Sequence, residues 1–256
     1  MPEAPRTALV TNASDYAGPP AVDALAGAGL RVLVQDPTFG DDDAWQRFAA
    51  DHPGAERLSA IAPGAAAAEA WDRAGRVDAV ISNDHHPAST SPVEEATLDG
   101  LRDSLEILVV RPFALVQAAV PHLKAQGGGA VVMITSCRTR LPMPGGAVPD
   151  LCRAAENALV RSLAVELAPD QIAVNAVAPN FLYSEAYYPR AVFRDDPAGQ
   201  AFVRSSVPAG RLGEPQEIGE VIRFLATTQA RFLTGAIIDF NGGWPVSPPR
   251  PQAPGR

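Results

Sequence analysis

Residues 7–18 read TALVTNASDYAG, an apolar run followed at once by a polar turn that ends on a glycine. Further apolar runs, rich in Val, Ile and Ala, occur at 31–35, 78–82, 130–135, 173–177 and 236–240. They lack period-two alternation, as strands do when helices cover both faces of their sheet. Segments with helical periodicity separate the runs. The sequence therefore predicts an α/β protein with a doubly wound parallel sheet.

Helices are predicted at 98–126, 151–167 and 215–227, with an Ala-rich helix around 65–70. Glycines 127–129 are expected to end the helix at 98–126. Pro215 and Glu217 are residues typical of the first turn of a helix, which suits the start of the helix at 215–227. Helices that cross between parallel strands pack on both faces, so we expect a three-layer αβα fold of Rossmann type. Residues 1–244 are predicted to form this single domain. Residues 245–256, with five prolines, are predicted to be a tail.

Composition excludes several classes of protein. With 256 residues, 46% hydrophobic and 20% charged, the chain is long and apolar enough to fold as one domain. A net charge of −8 without a basic run argues against a nucleic-acid partner. No leader follows Met1 and no apolar stretch is judged long enough for a bilayer, which predicts a cytoplasmic protein without membrane contact. Cys137 and Cys152 are predicted to be buried thiols, His85 and His86 loop residues, and no metal site is expected.

The turn after residues 7–11 is where this type of fold offers a helix N-terminus to the phosphates of a dinucleotide. Glycine is needed where the backbone approaches the pyrophosphate. Asn12 and Tyr16 stand at two such positions, Asp15 adds a negative charge, and only Gly18 remains. Asp36 could bond an adenine ribose, but a solvated carboxylate explains it better. We therefore expect no nicotinamide cofactor.

Motifs of one superfamily recur along nearly the whole chain. They read VISND at 80–84, ITS at 134–136, RLGEP at 211–215 and NGG at 241–243. The chain resembles the short-chain dehydrogenases/reductases in these segments. Thr11, Tyr16 and Gly18 follow a more specific pattern, in which an aromatic residue comes five positions after a threonine and a glycine two positions after the aromatic residue. In this pattern, and in the segments SND at 82–84, RPFALV at 111–116 and PNFLYSE at 179–185, the chain resembles the halohydrin dehalogenases within that superfamily.

The resemblance implies a halide pocket where nicotinamide would otherwise bind. Backbone amides and the positive edges of aromatic rings can hold a large, weakly hydrated anion without a full cationic charge. The residues carried over to this pocket are Tyr16, Pro179, Asn180, Phe181, Leu182 and Tyr187. The alternative is that these aromatic side chains belong to the core and the loop only closes the sheet.

The resemblance also implies a reaction and its catalytic residues. A vicinal haloalcohol would lose its hydroxyl proton and close to an epoxide with release of halide, and small anions would open the epoxide in reverse. Ser136 matches the serine that holds the substrate oxygen. Arg153 matches the arginine that stabilises a phenolate base. Asp84 matches a carboxylate that orients this arginine. A homotetramer assembled through the helices at 98–126 and 151–167 is implied as well.

One position departs from the resemblance, because Pro149 stands where the catalytic tyrosine is expected, four residues before Arg153. Proline has neither an ionisable group nor an amide hydrogen. Three explanations stay open: another residue is the base, the chemistry differs, or the chain is a non-catalytic relative. The rival functions are an NAD(P)-dependent oxidoreductase and a binding or scaffold module. The alternative bases, in order of sequence proximity, are Asp150, Tyr16, Tyr183 and Tyr187.

Overall fold

The computed structural model describes residues 5–87 and 90–247. Seven parallel strands form one sheet, and their bounds are β1 (Thr7–Thr11), β2 (Arg31–Gln35), β3 (Ala55–Arg57), β4 (Ala79–Ser82), β5 (Gly129–Ile134), β6 (Ile172–Pro179) and β7 (Ile237–Phe240). Their order across the sheet is β3-β2-β1-β4-β5-β6-β7. Every paired strand runs parallel to its neighbour, with Leu9, for example, beside Leu33 on one side and Val80 on the other. The predicted doubly wound sheet is confirmed.

Nine α-helices occur in the described ranges, and their bounds are α1 (Gly18–Gly27), α2 (Asp42–Asp51), α3 (Pro63–Ala74), α4 (Leu98–Leu105), α5 (Arg111–Ala125), α6 (Ala147–Leu167), α7 (Arg190–Phe193), α8 (Pro197–Ser206) and α9 (Pro215–Thr227). A π-helical turn, Glu106–Val110, joins α4 to α5. Helices α1 and α9 pack together over one face of the sheet, whereas α3 and α5 pack over the other.

The strand side chains alternate between two buried cores. Val10 and Val34 point into the core under α1 and α9, while Leu9, Leu33 and Val80 point into the core that includes α3, α5 and α6. All of these residues are fully buried. Burial on both faces is the physical reason for the continuous apolar runs in the sequence. The three-layer αβα arrangement in one domain follows directly.

The structure corrects some predicted elements. Strand β3 was missed because it has only three residues, Ala-Glu-Arg, at the edge of the sheet, and shows no apolar run. Helix α6 begins at Ala147 rather than at residue 151. Pro149 is the third residue of α6, within the first turn, where backbone N–H groups have no intrahelical acceptor and a proline costs no hydrogen bond.

The continuous helical segment Leu98–Ala125 has the length and apolar composition of a membrane-spanning helix, contrary to the sequence-based expectation. Packing accounts for part of this apolar character, because α5 lies against α3 and the π-helical turn lies against α6. Leu115, Ala119 and Leu123 are fully buried in the core. The predicted boundary at residue 244 stays a prediction, and residues 248–256 of the predicted tail lie outside the described residues.

Candidate active site

A cavity of about 660 Å³ opens at the carboxyl ends of β5 and β6. Ligand sites in open α/β sheets commonly lie at this edge. The structure brings all but one of the sequence-predicted site residues to its wall, and Pro149 joins them. The exception is Asp84, which lies behind the wall. The predicted residues at the wall are Tyr16, Ser136, Arg153, Pro179, Asn180, Phe181, Leu182 and Tyr187.

The turn after β1 holds the ring of Tyr16 in this cavity. Asn12 and Tyr16 both adopt left-handed backbone conformations, with φ of 50° and 58°. Such strain persists where surrounding contacts enforce it. Here Asn83 Nδ2 donates hydrogen bonds to the carbonyl oxygens of Asn12 at 2.7 Å and of Asp15 at 2.9 Å. The Tyr16 ring then meets the Tyr187 ring edge to face, with centroids 5.0 Å apart.

The same turn does not fit a dinucleotide, because side chains of this chain already occupy its amide donors. The backbone N–H of Asn12 donates to Gln35 Oε1 at 3.2 Å, and that of Ser14 donates to Asp36 Oδ2 at 2.9 Å. The N–H of Tyr16 donates to Asp15 Oδ1 at 2.6 Å. A phosphate would lose the donors that make such a turn an anion site. Asp36 is not a solvated carboxylate, since it is buried and caps this turn.

Ser136 follows β5 and is fixed from three sides. Its Oγ donates to the carbonyl oxygen of Pro179 at 3.2 Å and accepts from the backbone N–H of Arg138 at 3.2 Å. Asn157 Nδ2 on α6 donates to the backbone carbonyl of Ser136 at 2.9 Å. The hydroxyl is therefore positioned by β5, β6 and α6 together, at the wall of the cavity.

Arg153 brings a buried cation to the same wall. Its Nη1 donates to the backbone carbonyl of Asp84 at 3.0 Å and to both carboxylate oxygens of Glu156, at 3.1 and 2.9 Å. Its Nη2 donates to Tyr187 Oη at 3.3 Å. The resemblance implied that the Asp84 carboxylate orients this arginine. The structure instead shows the backbone carbonyl of Asp84 and the carboxylate of Glu156 in contact with the guanidinium.

Two buried carboxyl groups lie behind Arg153. Burial raises the pKa of Glu156 to about 8, although Arg153 opposes the shift. Burial likewise raises the pKa of Asp84 to about 7, against the effects of the Ser82 hydroxyl and of Arg153. Asp84 Oδ2 has no hydrogen-bond partner among the described residues. Sequence reasoning missed Glu156, although its spacing of three from Arg153 on a helix was an available signal.

Comparisons with known proteins identify the family of this chain. The family model for enoyl-(acyl carrier protein) reductases matches residues 22–245. An uncharacterized oxidoreductase of Methylorubrum extorquens is 31% identical over 247 residues, which cover 93% of this chain and 97% of the relative. The chain belongs to the short-chain dehydrogenase/reductase family.

Two solved structures resemble this short-chain dehydrogenase/reductase along nearly its whole length. A dehalogenation enzyme is 36% identical, with a TM-score of 0.90, over 94% of this chain and 98% of that chain. A halohydrin dehalogenase bound to ethyl (2S)-oxiran-2-ylacetate is 32% identical, with a TM-score of 0.92, over 96% of this chain and 100% of that chain. The curated relatives that match include uncharacterized oxidoreductases, one of which, YmfI of Bacillus subtilis, is 28% identical over 93% of this chain and 98% of the relative.

The loop after β6 contains a buried amide without a partner. The backbone N–H groups of Phe181 and Tyr183 donate to Asn180 Oδ1 and to the carbonyl oxygen of Gly213. That of Leu182 has no hydrogen-bond acceptor among the described residues, although Leu182 is buried at the cavity wall. Phe181 has a left-handed backbone with φ of 58°. A buried, unpaired donor beside aromatic rings is a suitable contact for an anion.

The structure separates the four alternative bases of this short-chain dehydrogenase/reductase. Asp150 does not line the cavity and forms a salt bridge with Arg138. Tyr183 also lies outside the cavity wall, where its Oη donates to Glu185 at 2.7 Å and Arg194 stacks 3.5 Å from its ring centre.

Of the four alternative bases, the two phenols Tyr16 and Tyr187 line the cavity. Burial, with a contribution from the neighbouring Tyr187, raises the pKa of Tyr16 well above its ordinary value, so that this phenol stays protonated. Tyr187 is the candidate that contacts Arg153. Its Oη also accepts from the backbone N–H of His86 at 3.0 Å and donates to the carbonyl oxygen of His86 at 2.7 Å.

Proposed function

We propose that this short-chain dehydrogenase/reductase acts without a cofactor, as a carbon–halide lyase of the halohydrin dehalogenase kind. It converts vicinal haloalcohols to epoxides and halide, and opens epoxides with halide or another small anion. The observation that carries this proposal is the cavity in which Ser136, Arg153 and the Tyr16 ring meet. The two dehalogenase structures support it, because one of them binds an epoxide.

The residues of the cavity divide the reaction between them. The Ser136 hydroxyl binds the substrate oxygen and positions it, and removal of the hydroxyl proton leaves an alkoxide. Its oxygen forms a bond to the neighbouring carbon while the carbon–halogen bond breaks, and halide leaves with the bonding electron pair. The halide is held by the Leu182 amide and by the aromatic edges of Tyr16 and Phe181. The fixed geometry lowers the barrier by orienting the reacting atoms.

The reaction is tested by halide release from 1,3-dichloro-2-propanol by the purified protein, in buffer free of nicotinamide. We expect steady release of chloride by the wild-type protein, and at least a tenfold slower rate for Ser136→Ala, because the substrate oxygen loses its positioning contact. A wild-type protein that releases no chloride and opens no epoxide in the presence of azide would refute the proposal.

The rival oxidoreductase function makes the opposite prediction about NADH. Because Gln35, Asp36 and Asp15 occupy the amides of the turn after β1, we expect the fluorescence of NADH to stay unchanged when the protein is added. A blue shift or quenching that saturates with protein concentration would show that the turn opens for a dinucleotide, and would favour hydride transfer.

We also propose a homotetramer. Helices α5 and α6 leave large apolar side chains exposed, which suits contacts between copies of the chain. These residues are Phe113, Leu151 and Val165. Light scattering coupled to size-exclusion chromatography measures the assembly directly, and a monomeric mass would refute this part of the proposal.

A further inference from the structure

We propose that Tyr187 is the proton-transferring residue of this site, and that it replaces the phenol missing at Pro149. This inference rests on the proposed function and names the group that this reaction needs. The phenol comes from the loop after β6 instead of from α6. Three observations carry the inference: the contact with Arg153, the position at the cavity wall, and the hydrogen bonds around Tyr187 Oη.

The contact with Arg153 selects Tyr187 among the ionisable side chains of the cavity. Arg153 Nη2 lies 3.3 Å from Tyr187 Oη, and both residues line the same wall as Ser136 and Pro149. Arg153 is 5% exposed, so its charge acts in a poorly solvated environment where interactions with an oxyanion are strong. A substrate whose oxygen is held by Ser136 therefore lies in a cavity that also contains Tyr187.

The hydrogen bonds of Tyr187 Oη suit a group that takes and returns a proton. The Arg153 guanidinium and the His86 backbone N–H both donate hydrogen bonds to this oxygen. The phenol O–H donates to the His86 carbonyl oxygen. Because hydrogen-bond donors and an acceptor converge on Tyr187 Oη, this oxygen can be hydrogen-bonded both with and without its proton.

The step balances in both directions. In dehalogenation the substrate O–H bond breaks, its proton moves to the Tyr187 phenolate, and the substrate oxygen closes the epoxide as halide leaves. The phenol then returns its proton to water. In the reverse direction the neutral phenol gives its proton to the epoxide oxygen while the anion bonds to carbon. No oxidant, reductant or cofactor takes part.

Several other titratable and charged groups lie at the cavity wall or contact Arg153, Tyr16 or Tyr187. They come from the turn after β1, the loop after β4, the segment after β5, α6 and the loop after β6. They are Tyr16, Asp84, His85, His86, Arg138, Arg153, Glu156 and Tyr188.

The decisive variant is Tyr187→Phe, compared with Tyr183→Phe as a matched control from the same loop. Loss of a positioned acid–base group commonly costs on the order of 10²- to 10⁴-fold in rate. We expect such a fall in kcat for Tyr187→Phe, with an unchanged thermal shift in bromide because the halide contacts remain. Tyr183→Phe, which lies outside the cavity wall, is expected to keep its kcat within about twofold.

Tyr187→His serves as the second variant, because it keeps an ionisable group at the same place. An imidazole titrates near pH 6.5, so the profile of kcat/KM is expected to move to lower pH. A purely structural role of Tyr187 would not move that profile. A folded Tyr187→Phe with the wild-type kcat, or a Tyr187→His profile identical to that of the wild type, overturns the assignment of Tyr187 alone. A wild-type protein without halide release overturns the proposed function as well.

Discussion

Arg153 and Glu156 form a buried hydrogen-bonded pair one turn apart on α6, in which Nη1 of the guanidinium lies 3.1 and 2.9 Å from the two carboxyl oxygens. Arg153 is 5% exposed and Glu156 is fully buried. The pair leaves Nη2 directed at Tyr187, so the carboxylate fixes the end of the guanidinium that faces away from the phenol. Glu156 is thus a positioning residue for the arginine at the cavity.

Removal of Glu156 should destabilise the fold strongly. Glu156→Ala leaves Arg153 as a buried charge without its partner, which typically costs about 3–5 kcal/mol in the free energy of unfolding. Glu220→Ala is the matched control, because Glu220 forms a pair of the same spacing with Arg223, but on the surface. Exposed pairs contribute at most about 1 kcal/mol. Urea unfolding measures both, and equal losses would show that burial of the Arg153 pair has no special role.

The buried carboxyl groups make stability depend on pH. The pKa values of Asp84 and Glu156 in the folded protein, about 7 and about 8, lie above the ordinary values of 3.8 and 4.5. At pH values between the ordinary and the raised pKa of each group, the folded protein binds a proton that the unfolded chain has lost. The free energy of unfolding therefore falls as pH rises. The slope is at most about 1.4 kcal/mol per pH unit for each group. The stabilisation that these two carboxyl groups contribute to the folded state is complete below about pH 4 and is lost by about pH 8.

Glu156→Gln isolates the part due to one carboxyl group. Urea unfolding from about pH 5 to about pH 8 should show a shallower decline for this variant than for the wild type. Burial lowers the pKa values of His85 and His86, so below pH 6.5 these two groups make the free energy of unfolding rise with pH. Because both proteins contain them, their effect cancels when the two curves are compared. Parallel curves for wild type and variant would mean that Glu156 is ionised throughout this range.

The sequence predicts the fold better than the contacts of the site. The strands β1, β2 and β4 are recognisable because each is buried on both faces, and this leaves a continuous apolar run. The assignment of Ser136 and Arg153 to one site came instead from the resemblance to the halohydrin dehalogenases. The apolar periodicity that identifies the strands is a property of regular structure.

Irregular segments carry no such periodicity, and this is why the role of Tyr187 could not be ranked from the sequence. Tyr187 lies 34 residues from Arg153, in a loop whose path depends on contacts with His86 and on the left-handed backbone at Phe181. Sequence proximity favoured Asp150 instead, which the structure pairs with Arg138.

Bromide should stabilise the protein through the ring of Tyr16. A ligand that binds only the folded state raises the free energy of unfolding by RT ln(1 + [L]/Kd), or about 1.4 kcal/mol for each tenfold in concentration above Kd. We expect the Tm of the wild type to rise with sodium bromide more than that of Tyr16→Ala, which lacks the aromatic edge. Tyr16→Phe keeps that edge and should keep most of the shift.

Tyr183→Phe, measured at the same bromide concentrations, controls for general effects of salt on stability. Its Tm should rise as much as that of the wild type. If Tyr16→Ala gained the same shift as the wild type, bromide would bind elsewhere and the aromatic wall would have to be assigned to the core.

A tyrosine at position 149 should restore proton transfer to a protein that lacks Tyr187. Pro149 lines the cavity four residues before Arg153, and residues at this spacing lie on the same face of a helix. A phenol there would reach the guanidinium from α6. We therefore expect Pro149→Tyr in the Tyr187→Phe background to release halide at least tenfold faster than Tyr187→Phe alone.

Ala147→Tyr in the same background is the control, because Ala147 is exposed in the first turn of α6 and outside the cavity wall. A folded double variant no faster than Tyr187→Phe would show that Arg153 cannot activate a phenol at this position, and would break the correspondence with the serine, tyrosine and arginine trio.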